Sequence, residues 1–239
     1  MTTVLILGHK GMLGHMLCKY LQQYNINIVY SNKRWPEDIC QDIQKFKGEY
    51  IVNCIGAIPQ KTNNFSVNYE LPIWLDQNTT CKIIHVGTNS VYTDEYSISK
   101  KQSLDWILSN SKQTKIIQTS IIGPELTSNK NLFEWFIQQK TSANGYTNEM
   151  WNGITTLHWS KLCYKIIKHW DSYDILNIPY TDCISKYNLL YYIKESFNKC
   201  ITIHKTVNNK NTNGCVNGNI KLKNIKKQLT ELKRFYYDN

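Results

Sequence analysis

The sequence has almost no arginine, no long apolar run and no signal-peptide pattern. Only Arg34 and Arg234 are arginines, and the lysines are spread along the whole chain. The formal net charge of +10 would suit a polyanion, but nucleic-acid-binding proteins cluster their basic side chains, so we expect no nucleic-acid partner. No apolar run approaches the roughly 20 residues of a membrane span. Met1 leads directly into an apolar segment, so we expect a cytoplasmic protein without a membrane partner.

The cysteines include no close pair of the kind that zinc sites use. They are scattered through the chain, as is typical of thiols in a reducing compartment. We therefore predict buried free thiols, with neither a disulfide framework nor a metal site. The length of 239 residues is enough for one sizeable core, or for one core with an appended lobe.

The first fourteen residues contain a glycine turn between an apolar segment and a helical pattern. Residues 4–7 are typical of a buried strand, and apolar side chains recur at helical spacing over residues 12–21. Gly8 would allow the tight turn, Gly11 would let a pyrophosphate approach, and Gly14 would let the helix pack on the strand. The amides and dipole of the helix N-terminus favour phosphate. We predict a dinucleotide site that includes Gly8, Lys10, Gly11, Met12, Leu13 and Gly14.

The end of the second predicted strand favours NADPH over NADH. That strand covers residues 27–30, and no acidic residue follows it to bind a ribose 2′-hydroxyl. Asn32 stands there with two cations, Lys33 and Arg34, which suit a 2′-phosphate. The alternative that these are solvated loop residues stays open, and so does binding of NADH. We also predict that Asp42 and Ile43 end a third short strand near the adenine.

Strand and helix patterns alternate in the next part of the chain. Residues 50–57 form a predicted strand that ends in a Gly–Ala turn, residues 66–78 a helix, and residues 82–86 a further strand. This alternation is typical of βαβ units and predicts an α/β fold with a Rossmann-type, doubly wound parallel sheet. Ligands of such sheets bind outside the carboxyl ends of the strands. We therefore add to the predicted cofactor site Cys54, Ile55, Gly56 and Ala57.

The strand at residues 82–86 leads to candidate catalytic residues. Thr88 follows it, and Tyr96 and Lys100 lie four residues apart in a predicted helix, so both project from one face. A tyrosine with the ordinary pKa of about 10 is a poor acid or base at neutral pH. A nearby ammonium lowers that pKa because it favours the phenolate. We expect Lys100 to act on Tyr96 in this way and Thr88 to offer its hydroxyl to the same substrate oxygen.

As a set, these motifs resemble the extended short-chain dehydrogenase/reductases, and within them the dTDP-4-dehydrorhamnose reductase branch. In the first half the motifs are Gly8–Gly14, Asn53–Ala57, Val67–Asn68, Thr88–Tyr92 and Tyr96–Lys100. In the second half they are Thr119–Leu126, Gly145–Asn148, Trp151–Leu157, Ile184–Tyr187 and Gln228–Lys233. The resemblance covers nearly the whole chain.

The resemblance implies an oxidoreductase that uses NADPH to reduce a nucleotide-linked 4-keto-6-deoxyhexose, as in rhamnose and polysaccharide biosynthesis. Tyr96 would donate the proton, Thr88 would hold the ketone oxygen, and Lys100 would bind the nicotinamide ribose. Further implied cofactor contacts are Tyr96, Lys100, Ser120 and Ile121. The implied substrate contacts are Asn89, Ser90, Asn148, Trp151 and Asn152. The second-half motifs favour a UDP-linked 2-acetamido-2,6-dideoxy-hexos-4-ulose, with UDP- or dTDP-4-dehydrorhamnose as the alternative.

Two departures from the branch leave other functions open. The family usually has a much longer connection before the catalytic tyrosine, where only Thr93 to Glu95 stand here, and it usually has aspartate at the position of Asn89. A non-catalytic NADP-binding regulatory or scaffold subunit, or a nucleotide-sugar epimerase/reductase, therefore stays open. Thr93-Asp94-Glu95 imitates a dehydratase triplet, but it does not stand at the strand end where elimination would require it.

The chain is predicted to form two lobes. Residues 1–122 would be the NAD(P)-binding Rossmann lobe. Residues 123–239 would be a small C-terminal substrate-binding lobe, some of whose segments return to the Rossmann sheet. The sequence leaves open whether the chain forms a homodimer.

Overall fold

The computed structural model describes residues 1–89, 93–209 and 213–238. The chain forms two units. The first consists of Met1–Gln118 and Ser160–Asn177, and the second of Thr119–Trp159 and the residues from Ile178 onward. Within the described ranges, no helix has both the length and the apolar character that crossing a membrane requires.

Strands and helices alternate regularly only in the first part of the chain. The elements there are β1 (Thr2–Leu7), α1 (Met12–Leu21), β2 (Ile26–Tyr30), α2 (Glu37–Lys45), β3 (Tyr50–Asn53), α3 (Val67–Asn78), β4 (Lys82–Gly87), α4 (Glu95–Asn110) and β5 (Thr114–Gln118). The next are β6 (Ile121–Ile122), α5 (Leu132–Gln138), β7 (Ser142–Tyr146), β8 (Met150–Trp151), β9 (Ile154–Thr155), α6 (Thr156–Lys168) and β10 (Leu176–Asn177). The last are β11 (Pro179–Tyr180), β12 (Ile184–Ser185), α7 (Lys186–Ser196), β13 (Thr202–Thr206), β14 (Asn213–Gly214), β15 (Ile220–Lys221) and α8 (Ile225–Tyr237).

The first unit is built on a six-stranded sheet in the order β10-β5-β4-β3-β1-β2. Every pair of neighbouring strands in it is parallel. The predicted α/β fold with a Rossmann-type parallel sheet is therefore confirmed. Because the strands are parallel, the carboxyl ends of β1, β3 and β4 lie along one edge of the sheet, where Gly8, Cys54 and Thr88 follow.

Both faces of this sheet are buried. On one face Leu5, Ile51 and Ile83 pack in a core cluster with side chains of α2 and α3. On the opposite face the alternate strand residues, such as Val52, are fully buried. The hydroxyl of Tyr50 on that second face donates to the Ile167 carbonyl of α6 at 2.9 Å. Near-continuous apolar strands are what a sheet covered on both faces requires.

The predicted third short strand at Asp42 and Ile43 is wrong. Both residues lie in helix α2, and β2 is an edge strand of the sheet. Ile39 and Ile43 are one helical turn apart, and both are buried against the sheet. Apolar side chains at this spacing lie on one side of a helix, which α2 turns towards the sheet. Ile43 is consequently a core residue.

The second unit contains short strands and, within the described residues, the helices α5, α7 and α8. Its longest pairing joins β13 and β7 in parallel, and β8 lies between β12 and β14 in a three-stranded sheet. Fully buried core side chains of this unit include Phe133, Phe136, Trp159, Leu189, Ile193 and Leu229. The unit holds the predicted sugar-nucleotide residues of the second half of the chain.

The prediction that all cysteines are buried free thiols is wrong. Cys183 and Cys215 form a disulfide, with their Cα atoms 5.9 Å apart. Cys183 precedes β12 and Cys215 follows β14, and these two strands flank β8. The sheet therefore brings together two residues that are 32 positions apart, a proximity that spacing along the chain does not reveal. Cys200, a free cysteine, is exposed.

Candidate functional site

The glycine turn after β1 has the geometry of a phosphate-binding loop. Gly8 has a φ of +78°, a conformation that residues with a Cβ rarely adopt. Its carbonyl accepts a hydrogen bond from the amide of Gly11 at 2.9 Å. A Cβ at Gly14 would lie 2.2 Å from the same carbonyl oxygen, so α1 packs too closely on the turn for any side chain there. Gly11, the N-cap of α1, supplies no side-chain acceptor for the helix amides, which leaves this helix end suited to an anion.

A cavity of about 830 Å³ lies beside this turn within the first unit. The predicted cofactor residues that line it are Gly8, Lys10, Gly11, Asn32, Lys33, Arg34, Ile55, Gly56 and Ala57. Lining residues that sequence reasoning missed include His9, Ser31, Trp35, Thr62, Asn64 and Glu70. His9 stacks on Tyr30 at a ring-centroid distance of 4.4 Å. The far wall comes from the loop before α3, whose sequence carries no signal for a ligand.

The cations at the end of β2 are not equivalent. Lys33 Nζ lies 2.9 Å from Asp42 Oδ1, and the second oxygen of Asp42 accepts from Ser31 Oγ at 2.5 Å. The Ser31 hydroxyl and the Lys33 ammonium hold the pKa of Asp42 below its ordinary value. Arg34 and Lys10 have no carboxylate partner within the part of the chain that the structure describes.

Thr88 and Asn89 follow β4 at the same edge of the sheet. The side chain of Asn89 is buried, and neither its amide nitrogen nor its oxygen has a hydrogen-bond partner among the described residues. A buried primary amide without partners is costly, and a ligand at the strand end would relieve that cost. Ser90, the next predicted substrate contact, lies outside the described residues.

Helix α4 fixes Tyr96 in its first turn. Asp94 is the N-cap, and its carboxylate accepts from the Ser97 amide at 2.7 Å while the Asp94 amide donates to Ser97 Oγ at 3.2 Å. Asp94, part of the dehydratase-like triplet, therefore has a helix-capping role. The capped turn brings the Tyr96 hydroxyl into hydrogen-bond contact with the side chain of Thr88.

Burial raises the pKa of Tyr96, the charge of Asp94 raises it further, and the Thr88 hydrogen bond offsets part of this rise. The prediction that Lys100 lowers this pKa is therefore wrong for the geometry in this structure. The reason is that desolvation of the phenolate outweighs any attraction from an ammonium that is itself buried. At neutral pH Tyr96 carries its proton.

Lys100 lies one turn further along α4 and is buried. Its Nζ donates to the Val86 carbonyl at 3.4 Å, and a Cβ at Gly56 would come within 3.3 Å of it. Burial lowers the pKa of Lys100 to about 8, and the neighbouring Cys54 opposes this shift. The ammonium thus lies behind the loop that follows β3.

Asn68 of α3 holds that loop in place. Its side chain accepts from the Ala57 amide at 2.8 Å and donates to the Ala57 carbonyl at 3.0 Å. It also donates to Ser99 Oγ of α4 at 3.0 Å. Sequence reasoning gave Asn68 no role, although the Val67–Asn68 pair belongs to the motifs of the resemblance.

The predicted substrate residues of the second unit hold its backbone together. Asn148 exchanges two hydrogen bonds with the backbone of Asn208, at 2.7 and 2.8 Å. Asn152 does the same with Val216, at 2.7 and 3.1 Å. Trp151 is largely buried. Each amide retains one donor and one acceptor position for a further partner.

Two predicted cofactor contacts also belong to the second unit. The Ser120 carbonyl accepts from the Ile154 amide at 2.9 Å, and Ile121 is the register partner of Ile154 in the β6–β9 pair. Neither residue is among those that line the cavity beside the glycine turn.

No protein-family model and no curated protein matches the sequence. Several solved structures match the fold over nearly their whole length. A dTDP-4-dehydrorhamnose reductase from Yersinia enterocolitica is 13% identical with a TM-score of 0.76, and the match covers 99% of this chain and 100% of that one. A dTDP-4-dehydrorhamnose reductase from Bacillus anthracis, in complex with NADP, is 13% identical with a TM-score of 0.69 and full coverage of both chains.

A third similar structure is the UDP-N-acetylglucosamine 4-epimerase from Bacillus cereus. It is 14% identical with a TM-score of 0.71, and the match covers 97% of this chain and 98% of that one. At these identities the similarity is one of fold. The chain has the fold of these nucleotide-sugar enzymes, the group whose motifs the sequence resembles.

Proposed function

We propose that the protein is an NADPH-dependent reductase of the C4 ketone in a nucleotide-linked 4-keto-6-deoxyhexose. The observation that carries this proposal is the hydrogen-bonded pair of Thr88 and Tyr96 at the carboxyl end of β4, with Lys100 one helical turn behind. Two hydroxyls that meet at a strand end suit a single carbonyl oxygen, since one can hold it while the other supplies its proton. The shared fold and the motifs around these residues support the same activity.

The cavity beside the glycine turn fits the proposed dinucleotide. Gly11 has no side chain at the point where a pyrophosphate would approach, and a Cβ at Gly14 would meet the Gly8 carbonyl at 2.2 Å, so α1 packs directly on the turn. Helix α1 has no acidic residue in its first turn to repel phosphate, and Arg34 and Lys10, which have no carboxylate partner among the described residues, offer their charge to a 2′-phosphate. When bound, NADPH supplies the hydride that reduces the ketone carbon to the alcohol carbon.

Tyr96 is the proton donor in this proposal. Its raised pKa keeps the phenol protonated at neutral pH, which is the form that a reduction consumes. As negative charge develops on the ketone oxygen, the Tyr96 proton moves to it and the Thr88 hydroxyl stabilises it by a hydrogen bond. Asn89 provides a further buried amide for the sugar, one that has no hydrogen-bond partner among the described residues.

Lys100 binds the nicotinamide ribose in the proposal. With a pKa of about 8, it is mainly an ammonium at neutral pH and donates to ribose hydroxyls. The net pKa of Tyr96 is raised, so acidification of Tyr96 is not assigned to Lys100, and its proposed role is to hold the ribose.

The second unit is proposed to bind the sugar nucleotide through Asn148, Trp151 and Asn152. The favoured substrate is a UDP-linked 2-acetamido-2,6-dideoxy-hexos-4-ulose, and the alternative is UDP- or dTDP-4-dehydrorhamnose. Support comes from the second-half motifs, and a protein of similar fold is a UDP-N-acetylglucosamine 4-epimerase.

The test is NADPH oxidation, followed by its absorbance, with a panel of 4-keto sugar nucleotides and product identification by NMR. We expect one equivalent of the 4-hydroxy sugar nucleotide per NADPH consumed. Conversion without net NADPH consumption would identify an epimerase. Cofactor binding without turnover on any panel member would identify a non-catalytic binding subunit, for which the short connection before Tyr96 is the main argument.

A further inference from the structure

His85 is a fully enclosed histidine in the middle of the sheet whose tautomer can be derived from its neighbours. It lies on β4 directly opposite Asn53 of β3. The Asn53 oxygen accepts from the Ile55 amide at 3.0 Å, so the Asn53 nitrogen faces His85 Nδ1, at 3.3 Å. An amide nitrogen can only donate, and Nδ1 must therefore be the acceptor. The proton of the neutral imidazole is then on Nε2.

This Nε2–H group has no acceptor among the described residues, although it is buried. Burial, followed by the charge of Lys100, holds the pKa of His85 well below its ordinary value. His85 therefore stays neutral, and its Nε2–H remains a donor that needs an acceptor. A buried donor without an acceptor is rare in folded proteins and usually has an ordered water as its partner.

Lys100 lies near His85, since its charge acts on the imidazole, and its ammonium also has too few acceptors. Its ammonium has three N–H donors, and within the described residues its one hydrogen bond is that to the Val86 carbonyl, at 3.4 Å. Val86 is the chain neighbour of His85 on β4. Two buried groups near each other thus both need an acceptor, and neither can accept from the other.

We infer that His85 is a positioning residue for Lys100, and that both side chains donate to the oxygen of one shared buried water molecule. The Val86 carbonyl is a suitable acceptor for one hydrogen of that water, which gives it the three partners that buried waters typically have. The water holds the ammonium in place and favours its charged form. The consequence for turnover rests on the proposed function, whereas the shared water does not.

Other titratable groups around the pair are few. Cys54, which follows β3, raises the pKa of Lys100, and Cys18 of α1 in turn raises the pKa of Cys54. Burial raises the pKa of the Cys54 thiol, so it is neutral where Lys100 titrates. On α4 itself Tyr96 is also neutral there, since its pKa is raised. A change in pH dependence on loss of the His85 donor is therefore expected to reflect a changed pKa of Lys100.

The kinetic test compares His85→Leu with His85→Gln. Leucine fills the space without a donor, while the glutamine amide nitrogen comes close to the position of Nε2 and keeps one. In His85→Leu the water loses the donor that fixes it and the ammonium loses its hydrogen bond to that water, so we expect the alkaline fall of kcat/KM to move about one pH unit lower. In His85→Gln the profile should return towards that of the wild type, with circular dichroism checking the fold of both variants. Identical profiles for wild type and His85→Leu, or no recovery in a folded His85→Gln, would overturn the inference.

A second test needs neither substrate nor cofactor and uses the wild-type protein labelled with ¹⁵N-histidine. NMR spectra should show His85 as the neutral Nε2–H tautomer, identified by the signal missing from His85→Gln. Its Nε2 shift should change with a midpoint near pH 8, the pKa of about 8 for Lys100, and Lys100→Met should remove that change. An Nδ1–H tautomer, or an Nε2 shift that does not follow Lys100, would overturn the inference. If these spectra are as expected but the enzyme is inactive on every substrate, the proposed function fails and the shared water stands.

Discussion

Lys33 and Asp42 form an ion pair at the end of β2, with Nζ and Oδ1 2.9 Å apart. The same carboxylate accepts from Ser31, so three side chains from the end of β2 and from α2 form one group at the rim of the cavity. A 2′-phosphate has to compete with Asp42 for Lys33. In the described part of the chain Arg34 and Lys10 have no such competitor, and they are the cations on which cofactor choice should depend.

Arg34→Ala should weaken NADPH binding by about ten- to a hundredfold, since a hydrogen bond to a charged group contributes roughly 1.5–3 kcal/mol. NADH, which has no phosphate there, should bind nearly as before. Lys33→Ala should have a smaller effect, and Asp42→Asn should tighten NADPH by at most about fivefold, because a half-exposed ion pair contributes little. Dissociation constants from protein fluorescence would check this, with Lys19→Ala on α1 as a control. Equal losses of both cofactors in Arg34→Ala would exclude the phosphate contact.

Tyr96→Phe should lower kcat by about two to four orders of magnitude, the range for loss of a general acid. NADPH binding should stay near the wild-type value, because the ring and the capped first turn of α4 remain. Tyr191→Phe is the matched control, since Tyr191 is an exposed tyrosine on α7 and should leave kcat unchanged. Steady-state rates with the best substrate of the panel give the comparison. Near-normal turnover in Tyr96→Phe would remove this residue from the mechanism.

The sequence predicts the parallel sheet and the glycine turn well because both have local causes. Apolar runs buried on both faces identify the strands, and the positions of Gly8 and Gly14 follow from a tight turn with a helix packed against it. The sequence does not predict helix α2, since two isoleucines four residues apart suit either a helix face or a short buried segment. Only the packing of Ile39 and Ile43 against the sheet shows that this segment is a helix.

Non-local contacts explain the other differences. The pairing of Lys33 with Asp42 follows from the placement of α2, and the Cys183–Cys215 bridge from the strands that flank β8. The sign of the Tyr96 pKa shift depends on burial, which sequence spacing does not give. A Tyr-x-x-x-Lys spacing places two side chains on one helix face but does not say how far each is from water.

Gly14→Ala and Gly11→Ala should separate the structural role of the turn from its proposed phosphate contact. A Cβ at Gly14 would lie 2.2 Å from the Gly8 carbonyl oxygen, whereas one at Gly11 would lie 3.3 Å from it. Gly14→Ala should therefore destabilise the protein by about 1–3 kcal/mol through overpacking, seen as a lower melting temperature. Gly11→Ala should retain most of the stability but weaken both cofactors alike. A stable Gly14→Ala protein that binds NADPH normally would contradict the close packing of α1.

The pH dependence of activity should show the titration of Lys100. Burial lowers its pKa to about 8, so the ammonium is present below that pH and lost above it. Since the ammonium is the form that binds ribose, kcat/KM should fall as pH rises through about 8, and this limb should be absent from the residual activity of Lys100→Met. Tyr96 adds no limb in this range, because its pKa is raised. An activity that keeps rising to pH 10 would contradict the assignment.

The Cys183–Cys215 bridge should stabilise the second unit. It closes a loop with a sequence separation of 32 residues, for which chain entropy gives about 3–4 kcal/mol. Cys183→Ser should lower the free energy of unfolding in urea by about that amount. Cys200→Ser, which removes an exposed free thiol, should leave it unchanged. A dithiol reductant should reproduce the loss in the wild type and have no effect on Cys183→Ser.

The same bridge should control a particular segment. Cys215 adjoins Val216, whose backbone is held by Asn152, so loss of the bridge should expose the chain around β14 to limited proteolysis before the rest of the second unit. Alkylation in denaturant without reductant should label the six free cysteines and leave Cys183 and Cys215 unlabelled. Full labelling of all eight cysteines in freshly purified protein would show that the bridge is not formed in solution. The loss of stability in Cys183→Ser would then be absent as well, since the wild type would have no loop closure to lose.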